Sequence, residues 1–100
     1  MRDAVICIPT FRRPRSLARL LDAVAALETQ ADIAVLVADN DAENHAGLDL
    51  VTARAAGFRF PLRAVIAAQR GIAQVRNTLI AQALKDRPRF ITMIDDDEWP

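Results

Sequence analysis

Four short, almost wholly apolar runs alternate along the chain with three stretches of helical periodicity. Ala4 to Ile8 (AVICI), Ile33 to Ala38 (IAVLVA), Leu62 to Ala67 (LRAVIA) and Phe90 to Ile94 (FITMI) are brief and partly β-branched. Runs of that kind predict strands buried on both faces. From Pro14 the pattern changes. Leu17, Leu20, Leu21, Val24 and Leu27 recur at spacings of three and four, the apolar stripe of a helix. Pro14 suits its first turn, where a missing N–H has no helical partner to lose. Asn44 to Ala56 predicts a weaker helix, with Gly57 placed as its C-terminal stop. After Gly71, the residues Ile72, Val75, Leu79, Ile80, Ala83 and Leu84 share one helical face. Pro9 is expected to end the first strand, and Pro88 separates the third helix from the fourth strand.

The resulting order, β-α-β-α-β-α-β, implies an α/β fold: a parallel, Rossmann-like sheet with helices on both faces. If three strands progress one way and the fourth returns beside the first, the spatial order is 3-2-1-4. The topological switch point then lies between strands one and four, where open α/β sheets bind ligands at the carboxyl ends of the strands. Those ends carry Pro9-Thr10-Phe11 and Asp95-Asp96-Asp97. The chain stops at Pro100, just after the acidic run, where an α/β domain ordinarily continues. Residues 1–100 are therefore expected to be one portion of a domain truncated at its C-terminus.

Composition narrows the function classes. The formal net charge is zero, so the protein as a whole has no electrostatic reason to bind nucleic acid. Cys7 is the only cysteine, which excludes an internal disulfide and a cysteine-cluster metal site. Nothing at the N-terminus reads as a signal peptide, and no transmembrane segment is expected, since no apolar stretch nears the roughly 20 residues that span a bilayer. The chain reads as cytoplasmic, a location that includes the inner face of a membrane.

Three aspartates and a glutamate directly after an apolar strand concentrate negative charge at one sheet edge. Their mutual repulsion is relieved by a divalent cation, and Mg²⁺-like ions are held by one or two carboxylates plus substrate phosphates. Asp95 and Asp97 share a side if the strand continues; a turn instead presents Asp96 and Asp97. A solvated acidic loop is the plain alternative. A Walker B site lacks its G-x-x-x-x-G-K-[ST] partner, and an EF-hand lacks alternating acids and a glycine. An aspartyl-phosphatase nucleophile belongs after the first strand. A dinucleotide-binding turn needs glycines after strand one, yet the first glycine is Gly47. That turn offers a hydroxyl, an aromatic ring and arginines (Thr10, Phe11, Arg12, Arg13) beside a helix N-terminus, suited either to a base and a phosphate or to plain packing and solvation. Asp39, at the end of strand two, can accept a hydrogen bond from a nucleobase imide N–H. His45 stands alone in a polar stretch and reads as exposed.

I-P-T-F-R-R-P after strand one, V-A-D-N-D after strand two, Q-R-G-I-A-Q-V-R-N at the third helix and I-D-D-D-E after strand four occur in register. Together they resemble family 2 glycosyltransferases of the GT-A fold, over the whole chain and most closely the bacterial enzymes that build exopolysaccharide and other cell-surface glycans. The resemblance implies a nucleoside-diphosphate-sugar donor, a divalent metal (Mn²⁺ or Mg²⁺) and a glycan or lipid-linked acceptor. It implies donor contacts from Pro9, Thr10, Phe11, Arg13, Asp39, Arg76, Asp95 and Asp96, with Thr10, Phe11 and Asp39 around the base. Asp97 and Asp95 are the implied metal ligands, Asp97 foremost. The implied chemistry is inverting displacement at the anomeric carbon, with a catalytic base beyond Pro100, so this portion alone is expected to be inactive. Phe11 stands where many relatives have tyrosine. Gln69, Arg70 and Asn77 either line the donor loop or turn the chain into its helix. A non-catalytic nucleotide-binding or assembly module on the same half-fold is the competing reading.

Overall fold

A computed structural model of the protein describes residues 2–69 and 71–96. Four strands, β1 (Ala4–Thr10), β2 (Ile33–Asp39), β3 (Leu62–Ile66) and β4 (Phe90–Met93), alternate with helices α1 (Pro14–Ala25), α2 (Ala46–Arg54) and α3 (Ile72–Ala83). All strand pairs are parallel, as the alternation predicts, and the order across the sheet is β3-β2-β1-β4, the one expected if the fourth strand returns beside the first.

Strand alternation sorts the apolar residues into two layers. Ile6, Ile8, Val35 and Val37 point to one face and pack against Leu17, Leu20, Leu21 and Val24 of α1 and Val51 of α2. Val5, Cys7, Ala34, Leu36 and Ala38 point to the other, under Val75, Leu79 and Ala83 of α3. The two central strands therefore need apolar residues at successive positions, which is why they read as unbroken runs. The small Ala34 and Ala38 on the second face leave room for one helix to lie close.

Several expected boundaries move. Pro9 does not end β1, which continues to Thr10, with Pro9 opposite Ala38 of β2. The Thr10 carbonyl accepts from Asn40 on the β2 side, whereas the Cys7 carbonyl accepts from Ile94 on the β4 side. By alternation, the absent N–H of Pro9 faces β4, beyond the last paired residues, Cys7 and Met93. The proline thus costs no bond to β2 and ends the pairing with β4 instead. Asp39 likewise belongs to β2. α2 is shorter than expected, and Gly57 lies in a 3₁₀ turn (Ala55–Gly57) rather than in a left-handed stop.

The buried face of α3 is narrower than the periodicity suggests. Ile80 and Leu84 are 40% and 58% exposed, because the stripe over β1 and β2 is fully used by Val75, Leu79 and Ala83. β4 is not buried on both faces either: Ile91 and Met93 pack under α3, whereas Phe90 is 66% exposed. Among the described residues no helix is long and apolar enough to cross a membrane.

Candidate functional site at the switch point

The sheet order brings the carboxyl ends of β1 and β4 side by side. There the Thr10 hydroxyl donates to Asp96 Oδ2 at 2.8 Å, and both side chains are buried. Arg13, just before α1, approaches the other oxygen of Asp96 at 3.6 Å. From the far layer, Arg76 of α3 lies 3.9 Å from Asp95 Oδ1, each side chain about half exposed. Thr10, Arg13, Arg76, Asp95 and Asp96 are thus assembled in one place from separate parts of the chain.

Asp39 sits deeper. It is wholly buried, and its oxygens accept the amides of Asp41 and Leu48, each at 3.0 Å. The Leu48 amide is one of the first-turn donors of α2, which has no partner inside the helix. His45, at the N-cap position, makes no side-chain cap, so Asp39 supplies it from the neighbouring strand. Its negative charge also complements the positive end of the helix dipole. Each oxygen keeps a second lone pair beyond the amide it accepts. Gly47 lets α2 approach: a Cβ there would stand 2.7 Å from Thr10 Cγ2 and 3.1 Å from Asp39 Oδ2.

Phe11 lies half-buried beside this cluster, with the Arg12 guanidinium 4.8 Å from its ring centroid. Arg12 adopts a left-handed backbone (φ 53°) and donates through Nε to Asp41 at 2.7 Å. That donor, helped by the amides of Asn44 and Glu43, outweighs the cost of burial and holds the Asp41 carboxyl down at about 2. The same bond pushes Arg12 above its usual range. Pro9 lies in β1 immediately before Thr10 and is partly buried.

A second tie joins the β2 end to the loop after β3. Asn40 Nδ2 donates to the carbonyls of Ala67 at 2.7 Å and Gln69 at 2.9 Å, and the Ala67 amide donates to the Asp39 carbonyl. The chain then enters α3 through Gly71 at φ 126°, a conformation that L side chains avoid. This route aims Arg76 at Asp95. Gln69 and Asn77, with Gln74 and Thr78, line a cleft of about 280 Å³ next to it.

Sequence reasoning does not single out Asn40, Asp41 or Gly47. Asn40 and Asp41 carry a turn signal that masks their longer contacts, and a lone glycine in a weak helix reads only as a penalty. Asp97, the foremost expected metal ligand, lies outside the described residues, as do Arg70 and Glu98. Among the described residues no group of three or more metal-ligating side chains occurs.

The family is decided by a direct comparison: residues 5–100 match the model for Glycosyl transferase family 2. The chain belongs to glycosyl transferase family 2. No curated protein gives a significant match. Among solved structures, S. aureus TarS 1-349 superposes with a TM-score of 0.80 at 20% identity, covering 99% of this chain and 28% of its own. The same TarS fragment in complex with UDP superposes at 0.77, also with 20% identity, 99% coverage of this chain and 28% of that one. This family 2 chain therefore has the Rossmann-like GT-A fold, and it spans little more than a quarter of the length of those structures.

Proposed function

We propose that the chain is the nucleotide-sugar-binding portion, residues 1–100, of a GT-A glycosyltransferase. It binds a nucleoside-diphosphate sugar together with a divalent metal, and the full-length protein transfers the sugar to a hydroxyl of a glycan or lipid-linked acceptor with inversion. The observation that carries this reading is the buried Thr10–Asp96 bond across the β1/β4 switch point, flanked by two arginines. Thr10 and Arg13 hold the Asp96 carboxylate at the carboxyl ends of the two strands, the place where open α/β sheets take their ligands. UDP in the similarly folded TarS structure supports a nucleoside diphosphate as that ligand.

In this reading Phe11 packs against the base and Asp39 forms the floor of that end. Thr10 and Asp96 hold the ribose end, while Arg13 and Arg76 offer bidentate cations to the diphosphate. Asp95, half exposed, and Asp97 hold the metal; two carboxylates with donor phosphates meet what Mg²⁺ or Mn²⁺ requires. Such a metal, when bound, offsets charge on the leaving diphosphate. Inversion further requires a base that takes the proton of the acceptor hydroxyl, supplied by other residues of the full-length protein.

Calorimetric titration of the full natural chain with UDP, GDP and dTDP, with and without Mn²⁺, tests this. At least one nucleoside diphosphate binds, more tightly with Mn²⁺, and Asp97→Ala weakens it about tenfold or more. Failure of all three to bind in the presence of metal would falsify the reading.

A further inference from the structure

A helix-forming stretch gains from alanine over glycine, so a buried glycine in the first turn of α2 needs a reason. The reason is on the other side of the contact. With no side chain of its own, Gly47 leaves room for the methyl of Thr10, which a Cβ would meet at 2.7 Å, closer than carbon atoms tolerate. Thr10 is β-branched and stiff at χ1, so its methyl and hydroxyl move as one unit. With the methyl lodged against Gly47, the hydroxyl points at Asp96 Oδ2, 2.8 Å away. Rotating the methyl off an enlarged residue 47 swings the hydroxyl off Asp96. The same Cβ would stand 3.1 Å from Asp39 Oδ2, a carboxylate held in place by the two amides it accepts.

We infer that Gly47 is a positioning residue for the donor site: through the rotamer of Thr10 it sets the place of the Asp96 carboxylate. Gly47 itself has no side chain to offer a ligand. It links α2, a helix on one face of the sheet, to the acidic run after β4. The inference rests on the donor-site reading above, and it adds to that reading a residue that acts on the nucleotide only at second hand.

The test is a double-mutant cycle in the full natural chain, read by nucleoside-diphosphate affinity with Mn²⁺ and by Thr10 χ1 from three-bond couplings to its methyl carbon. Gly47→Ala weakens the affinity about tenfold and displaces Thr10 from its rotamer. Thr10→Ser keeps the hydroxyl and removes the clashing methyl, and its own affinity is the reference against which the double variant is read. The combination Gly47→Ala with Thr10→Ser recovers most of the lost affinity, a rescue that a general loss of stability does not give. Thr10→Val, which keeps the shape and removes the donor, matches the single Gly47→Ala loss. Additive losses in the double variant, or an unmoved affinity in Gly47→Ala while Asp96→Asn binds poorly, overturn the inference alone. Absence of nucleotide binding by the unaltered chain overturns the donor-site reading and the inference with it.

Discussion

Arg12 and Asp41, carried by the turns after β1 and β2, meet at 2.7 Å beside the carboxyl ends of those strands. Arg12 takes up a left-handed backbone to make the contact, and its guanidinium also covers the Phe11 ring. A residue without glycine's freedom stays at φ 53° only when something holds it there. The pair locks together two turns that the sheet alone leaves independent.

The pH dependence of this lock has a definite sign. The Asp41 carboxyl titrates at about 2 in the folded chain, below the ordinary value near 3.8. A depressed acid contributes stability that is fully present above its unfolded value and is lost as pH falls through the folded one. Arg12→Ala is therefore expected to lower the melting temperature at pH 7. The gap from the unaltered protein closes between about pH 4 and pH 2. Thermal melts across that range check it; a gap that persists at the acid end contradicts the assignment.

Asp39→Ala removes the acceptor for two amides and leaves both inside the protein. The expected loss is about 1–3 kcal/mol for the buried Asp41 amide and less for the part-buried Leu48 amide, measured by urea unfolding. Hydrogen exchange localises it: the Leu48 amide exchanges faster, while amides in the centre of β1 change only with global stability.

Two glycines respond in opposite directions to alanine. At Gly57 an added Cβ meets nothing within 4 Å and the backbone is not left-handed, so the variant is stabilised by about 0.4–1 kcal/mol. Gly71 stands at φ 126°, and alanine there destabilises by roughly 1–3 kcal/mol. Equilibrium unfolding of the two variants side by side gives both signs.

Cys7 lies at the centre of β1 under α3, and burial pushes its thiol up to about 11, only partly opposed by the charge of Arg63. Thiolate is the reactive form, so the native protein is expected to resist thiol reagents at about pH 8. Full labelling appears once urea unfolds the chain. Rapid labelling of the folded protein is inconsistent with this burial.

Element order and the acidic run are legible in the sequence because each depends on local pattern, continuous apolar runs, a 3.6-residue period and consecutive acids, whereas the sheet order rests on the assumption that the fourth strand returns beside the first. The site itself is legible as a set of strand ends. Its bonds are not. Thr10 and Asp96 are 86 residues apart, and nothing in either neighbourhood announces a hydroxyl-to-carboxylate bond. Asp39 reads as a ligand acceptor from its position, whereas its partners in the fold include a helix nine residues on. Ile80 and Leu84 mislead because period alone does not say how wide a strip the sheet covers. Pro9 misleads because a proline's cost depends on which side its nitrogen faces.

That orientation of Pro9 has a further consequence. The backbone seam between β1 and β4 stops at Cys7 and Met93, and the pyrrolidine ring forbids the next rung. Past that point the two strands are held by a clasp of side chains, the hydroxyl of Thr10 on the carboxylate of Asp96. A backbone seam is fixed by the sheet, whereas side-chain contacts depend on the rotamers of the residues that make them. The crevice thus begins where the proline ring ends the backbone ladder, and side chains, Thr10 and Arg13 on Asp96, join its two lips.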